Sequence, residues 1–563
     1  DITITEPVTV AALNFTNDTL KYTLSGDSIL GTADLTKTGE GTVTLNNENR
    51  FVGTTRIMGG TLNVAKLANK EGQDYGSLGG VNNRIELSDN GELGVASNIT
   101  TNQTIRLAGS DGAINVDANA RLTLKTGIVS TNGRHTLTKR GSGALTLDAA
   151  STLRSIHVER GTLDLFDGIN ADTVRFAGTG TKVYDSNTMG SYSNNSTTFV
   201  VPEKITGNFW MDPRCDYKGK LLGKGTLYVY AAGPRNTLSG DWSPFEGTVV
   251  AGQEKRSTYG PSFDWNNNYG LPKATLQVSK GTTFQAGSRS MAIGHVKGEG
   301  VINTTGTLTI GALNEDMLKT TTLQITNAKV RKVGSGIWTL TTANAQPNIG
   351  AVTIAGGELR LDDTSFKTLL LGTSGVTVTD SGLVQGRGKL QSIVVNGGTL
   401  APGTYFGNHY GAIKTEGNIT LSKGKLELTI SNNRNSGTSR SYLEVGGTLT
   451  LNDSVVVKLS DRYAPAVGDS IVLWTANKFS GKPKVSLPAL PDGMMWDSSA
   501  LAAANGVLKI AVNTGIYGVN ADGTSRRLIF TLDGRRVNED LNRLPAGVYV
   551  VKENGKTYKV NKQ

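Results

Sequence analysis

Leu35-Thr36-Lys37-Thr38-Gly39-Glu40-Gly41-Thr42-Val43-Thr44-Leu45 recurs as Leu137-Thr138-Lys139-Arg140-Gly141-Ser142-Gly143-Ala144-Leu145-Thr146-Leu147. It recurs again as Val330-Arg331-Lys332-Val333-Gly334-Ser335-Gly336-Ile337-Trp338-Thr339-Leu340. A second short unit follows each copy: Gly60-Thr61-Leu62, Gly161-Thr162-Leu163 and Gly357-Glu358-Leu359. Related units stand at Gly398-Thr399-Leu400 and Gly447-Thr448-Leu449. Apolar residues alternate with polar ones inside each unit, the period of a strand with one buried face. Glycine before each strand permits the positive φ of a tight corner. Leu45 to Leu62 spans 17 residues, Leu147 to Leu163 spans 16 and Leu340 to Leu359 spans 19. A strand, a glycine corner and another strand at that spacing describe one coil of a parallel β-helix. No window shows helical periodicity with caps, so the chain is expected to be all-β and solenoidal.

Composition agrees. Glycine accounts for 71 of 563 residues, about 13%, against roughly 7% in average proteins. The 37% of hydrophobic residues suffice because stacked coils share one continuous core. No stretch approaches the roughly 20 apolar residues of a membrane-spanning helix. The chain opens at Asp1 without a leader-like segment and reads as a mature or trimmed product. One cysteine, Cys215, excludes an intrachain disulfide framework and a multi-cysteine metal site. His135, His157, His295 and His409 lie too far apart for a His-x-x-x-His pair. The net charge of +10 is scattered, without the basic, aromatic-laced stripe of a nucleic-acid surface; weak attraction to acidic glycans is compatible with it. Neither a metal nor another cofactor is expected.

The repeat, the stretch Asn49-Arg50-Phe51-Val52-Gly53-Thr54-Thr55 and the end Tyr75-Gly76-Ser77-Leu78-Gly79 resemble autotransporter-associated β-strand repeats. Asn396-Gly397-Gly398-Thr399-Leu400-Ala401-Pro402-Gly403 and Gly417-Asn418-Ile419-Thr420-Leu421 resemble the late coils of autotransporter passengers. That resemblance implies a right-handed parallel β-helix over 1–513, on the surface of a Gram-negative bacterium, and does not imply a catalytic activity. The tail, 514–563, differs. Its Asp533-Gly534-Arg535 and Leu544-Pro545-Ala546-Gly547-Val548-Tyr549 motifs, with a second turn at Asn554-Gly555, resemble the sorting tail of type IX secretion substrates. This implies a small C-terminal β-sandwich with Asp533, Gly534, Arg535, Leu544, Pro545, Gly547 and Tyr549 as its motif, and export through an outer-membrane secretion or surface complex. Asp-[Ser/Thr]-apolar triplets resemble a bacterial O-glycosylation signal and point to Thr19, Ser28, Thr173, Ser454 and Ser470.

The segment near 207–270 departs from the repeat and is expected to protrude as an aromatic-rich insertion. Flat rings beside amides suit sugars, which makes Trp210, Tyr217, Trp242, Tyr259, Trp265, Asn267 and Tyr269 glycan-binding candidates; the bland alternative is that the rings only pack. Within it, Trp210, Asp212, Arg214 and Asp216 would share one face if extended, a carboxylate–guanidinium arrangement that a lyase could use or a plain ion pair. Cys215 lacks a histidine partner and reads as an inert thiol. The sequence therefore points to a non-catalytic surface stalk, adhesin or module contacting a polysaccharide or host-cell glycan. The rivals are an accessory part of a lyase-type polysaccharide-degrading enzyme, and a structural spacer in an outer-membrane complex.

Overall fold

The computed structural model describes all residues except 71, 73, 167–169, 187–192, 232–235, 254–261, 318–320, 372–373, 404–410, 432–439, 514–527, 538–540, 554–555 and 563. Among the described residues, helix is confined to two three-residue 3-10 turns, Thr342–Asn344 and Leu541–Arg543. Everything else regular is strand, and from Ile2 to Ser486 the strands pair almost entirely in parallel with the next coil. The all-β solenoid expected from the repeat is what the chain forms.

Three sheets wrap the core. The first runs from the strand Ile2–Ile4 to Leu221–Gly223, the second from Ile99–Thr101 to Asn505–Val512, and the third from Ser193–Asn195 to Gln324–Thr326. Alternation works as the period-two pattern demands: in Thr42–Leu45, Val43 and Leu45 are buried while Thr42 and Thr44 face outward. The strands named from sequence do pair, but two residues further on. Leu45 lies beside Val64, Leu147 beside Leu165 and Leu340 beside Leu361. Two residues is one full period, so the buried face is unchanged and each coil is simply longer.

The two ends of the solenoid differ. At the first coil Ile2 is 47%, Val8 37% and Leu20 62% exposed, because those apolar side chains have coils on one side only. At the other end Ser470–Ser480 pairs antiparallel with Asn505–Val512, which pairs antiparallel with Met494–Asp497. Trp474 is buried there and donates its indole N–H to the Ala503 carbonyl at 3.0 Å. Turning the last strands antiparallel ends the stack and covers the edge.

Of the expected aromatic-rich insertion near 207–270, residues 232–235 and 254–261 lie outside the described residues, and the described strands up to 253 follow the coils. Strands Thr206–Met211, Cys215–Tyr217, Leu221–Gly223, Thr226–Ala231, Asn236–Leu238 and Thr248–Gln253 continue the three sheets in register. In the tail, Leu528–Thr531, Arg536–Val537, Gly547–Glu553 and Lys556–Lys562 form one antiparallel sheet of four strands over a small core of Ile529, Leu544, Tyr549 and Val551. A second layer, which a β-sandwich requires, is not present among the described residues.

Candidate functional site

The repeat positions its lysine inward. Counting by twos from Leu35 puts Lys37 on the buried face, and Lys37, Lys139 and Lys332 are all essentially inaccessible to solvent. A charge there is tolerable only if its donors are used. Lys37 Nζ donates to the carbonyls of Thr38 (2.7 Å) and Gly39 (2.6 Å) in its own corner and of Gly59 (3.2 Å) in the next coil. Lys139 Nζ repeats this with Arg140 (2.6 Å), Gly141 (2.8 Å) and Arg160 (3.3 Å). Lys332 Nζ reaches Val333 (3.4 Å) and Gly356 (3.0 Å). Each ammonium thus ties one glycine corner to the coil above it. Burial pushes Lys139 and Lys332 down to about 8 and lowers Lys37 as well.

The glycine of the following unit completes the staple. Gly60, Gly161 and Gly357 have φ of +55°, +70° and +61°, and a Cβ on any of them would overlap the two glycine carbonyls of the corner below. Nearby, Asn49 bridges coils in the same spirit: its Oδ1 accepts from Ile29 N (2.9 Å) and its Nδ2 donates to Ser77 O (2.8 Å). These are structural devices, and the inward parity of the lysine in Leu35-Thr36-Lys37 is the signal that reveals them.

The aromatic coils place the glycan candidates in two different environments. Tyr217, Trp242 and Trp265 are 0%, 0% and 2% exposed, and Asn267 is buried too. These four face the interior and offer no surface to a sugar. The rings form a continuous interior chain, Phe199–Tyr217 at 4.6 Å, Tyr217–Trp242 at 5.9 Å, Trp242–Trp265 at 5.7 Å and Trp265–Phe284 at 5.2 Å between centroids. Burial raises the Tyr217 phenol well above its ordinary range, and its hydroxyl donates to Thr197 O at 2.7 Å. Asn267 closes a corner, accepting from Tyr269 N and donating to Gly240 O. Tyr259 lies outside the described residues. Tyr269 is 56% exposed, and Trp210 stands on the outer face of the second sheet. The packing alternative therefore accounts for most of the set.

Trp210 is not alone outside. It lies beside Tyr184 in the preceding coil and Tyr230 in the next, stacked at 4.9 Å and 10° on one side and 4.7 Å and 17° on the other. Sequence reasoning missed this ladder because its members are separated by coils of unequal length, 26 and 20 residues.

The lyase-like arrangement is not formed. The strand ends at Met211, Arg214 adopts φ +70°, and a new strand begins at Cys215. Trp210 and Asp216 consequently sit on different sheets around a corner instead of on one face. Cys215 is buried, its Sγ 3.1 Å from the Asp185 carbonyl it donates to. Asp185 itself is buried, and burial pushes its carboxyl up to about 7, with Asp212, Asp164 and Asp216 adding repulsion. Among the described residues no group of three or more His, Cys, Asp or Glu side chains is placed to hold a metal ion.

In the tail, Gly534 has φ +86° and Asp533 and Arg535 flank it at the surface, so the Asp-Gly-Arg unit is the turn joining two strands. Leu544 and Tyr549 are core residues, and the Tyr549 hydroxyl donates to Pro545 O at 2.9 Å, locking the Leu-Pro-Ala-Gly segment. Pro545 is exposed and Gly547 starts the strand. Of the O-glycosylation candidates, Thr19 and Ser470 are exposed and Ser28, Thr173 and Ser454 half-buried; the Asp27 carboxylate accepts from both the N–H and the hydroxyl of Ser28.

Comparison with known proteins adds two findings. The passenger-associated-transport-repeat family matches residues 35–64, 137–165 and 330–361, and each match contains one buried lysine staple. The autotransporter adhesin BmaC of Brucella suis biovar 1 (strain 1330) is 25% identical over 476 residues, which is 75% of this chain and 13% of that protein. The chain therefore spans a small fraction of the length of this curated relative. It is similar to an autotransporter passenger in repeat and in solenoid form.

Proposed function

We propose that this chain is a length of a surface-exposed, adhesin-like passenger of a Gram-negative bacterium, a non-catalytic solenoid that carries contact surfaces away from the cell. The observation that supports it most is the coincidence of the three family matches with the three stapled corners, within a parallel solenoid that aligns over three-quarters of its length with an autotransporter adhesin. Adhesion needs little beyond a rigid body and an outer face, and the second sheet supplies such a face. The tail belongs to the same proposal. Its tight Asp-Gly-Arg turn and locked Leu-Pro segment support a role as a recognition unit for an outer-membrane secretion complex of the type IX kind.

Two measurements test this. Beads coated with the intact chain should adhere to cultured host cells or to co-resident bacteria above the level of uncoated beads, and absence of adhesion to all of them overturns the adhesin reading. A reporter fused to residues 514–563 should leave a host with a type IX system and stay behind in a strain lacking it. Equal export from both overturns the sorting role.

A further inference from the structure

Four features outside the stapled corners carry unexplained chemistry: the Asp185 carboxyl, the half-exposed first coil, the tail turn, and the outer face of the second sheet between residues 181 and 298. The last carries an inference furthest. Its strands are Thr181–Ser186, Thr206–Met211, Thr226–Ala231, Thr248–Gln253, Leu271–Val278 and Met291–Gly298. Register places Lys182, Asn208, Tyr228, Val250, Gln277 and Lys297 in one outward column, in which Val250 is covered by its neighbours and the other five are at least partly exposed. Tyr184, Trp210 and Tyr230 form the column beside it, ending at Gly252.

The chemistry of this face is uniform. Its outward cations are Lys182, Lys273 and Lys297, and these six strands carry only one carboxylate, Asp185, which points inward and is buried. Asp164, at the N-terminal end of the aromatic column, is paired with Arg121. The rings repeat at 4.9 and 4.7 Å, the strand spacing, so each overlaps the next and leaves an edge and a polar tip toward water. Lys182 Nζ lies 5.6 Å from the Trp210 ring centroid, a cation held at the aromatic column. Tyr230 lies against Gly252, where a Cβ would meet its ring. At that glycine the column has no side chain, so the ring stack ends in a step, with Ser279 on the far side of it. Lys182 and Lys297 stand five strand spacings apart, about 24 Å.

We infer that this face binds an acidic polysaccharide laid along the solenoid axis, its sugar rings against the Tyr184–Trp210–Tyr230 ladder, its hydroxyls at Asn208, Tyr228 and Gln277, and its anionic groups at Lys182 and Lys297. A neutral glycan would leave the lysines without partners, and a nonspecific polyanion would not need the rings. The occupant is therefore the class that uses both. The inference rests on the adhesin reading only for its biological setting; the binding itself is a property of the folded chain.

Binding of the intact chain to polygalacturonate, dextran sulfate and neutral dextran is measured by calorimetry at low and high salt. Polygalacturonate should bind and lose affinity with salt. The dextran sulfate arm asks whether sulfate serves as the anionic group, and in that case it binds with the same dependence on Trp210. Trp210→Ala and the pair Lys182→Gln/Lys297→Gln should each weaken binding at least tenfold, while the distant pair Lys423→Gln/Lys484→Gln leaves it unchanged. Thermal melts establish that each variant is folded, and the lysine pair, whose side chains point outward, keeps the test open if Trp210→Ala does not fold. Equal binding of neutral dextran, equal loss in the distant pair, or retention of full affinity by folded Trp210→Ala overturns the inference. The bead assay separates the two claims: adhesion that excess polygalacturonate does not compete leaves the adhesin reading standing and removes this face from it. Absence of adhesion with intact glycan binding does the reverse.

Discussion

In the coil that passes through Lys139, the space inside the corner holds an ammonium group among backbone carbonyls. A few coils later the interior is filled by Phe199, Phe209, Tyr217 and Trp242, edge against face. Both arrangements hold neighbouring coils together, but the forces differ. The lysine uses charge-assisted hydrogen bonds that are local to one corner, and glycine is required around it because carbonyls must approach closely. The rings bury large apolar area and touch partners in coils above and below, so their contribution is spread along the axis. A staple is repeated as a sequence motif for that reason, whereas an aromatic interior needs no motif at all.

The contrast can be broken first at Trp242. Trp242→Ala empties a large site between Tyr217 and Trp265, and is expected to cost about 3–5 kcal/mol in denaturant unfolding; a loss below 1 kcal/mol would show that the ring chain is not what holds these coils. The same coils bury one carboxyl. Asp185 has its proton affinity raised to about 7 from an ordinary 3.8, so between those values the folded state holds a proton that the unfolded chain releases. Its contribution to stability therefore falls as pH rises toward 7 and stays low above it. Asp185→Asn should be more stable than the parent by roughly 2–4 kcal/mol at pH 8, with the gap closing near pH 4.

Lys139 has the opposite sign. Its folded value of about 8 lies below the ordinary 10.5, so the unfolded chain binds the extra proton between the two, and stability rises with pH across that window. Lys139→Met leaves carbonyls unpaired and is expected to cost about 1–3 kcal/mol at pH 7. Denaturation of both proteins at pH 7 and pH 10 should show the deficit widening, because only the parent gains. A deficit that does not change with pH would mean that the ammonium is not desolvated in the fold. The smallest effect sharpens the distinction between local and distributed packing. Losses from Lys37→Met and Lys332→Met should add within about 0.5 kcal/mol, whereas Phe209→Ala and Trp242→Ala, which share Tyr217, should deviate from additivity by more than that.

Much of this was legible beforehand. The threefold Lys-x-Gly-x-Gly unit marked the solenoid and its glycine corners, whereas the inward position of its lysine emerged only with the coils in place. The coil lengths came out two residues short, because Leu62 and Val64 both satisfy the same alternation and only the ladder itself chooses between them. The site was harder. Trp265 and Trp242 stood out by composition, yet composition does not state which side of a strand a ring occupies. Trp210 differs from Phe209 and Met211 by one position in an alternating strand, and that position decides everything. Its partners Tyr184 and Tyr230 emerge only when coils of 26 and 20 residues are laid in register.

The stapled corners also bear on how such a rod yields to load. Coils that contact only their neighbours peel from an end one after another, so tension applied along the chain meets a series of small, similar resistances. The three lysine corners interrupt that series at widely separated points, each requiring an ammonium to leave its carbonyls before the next coil can unwind. A solenoid built this way is expected to unwind in stages when pulled, with a stopping place at each lysine corner.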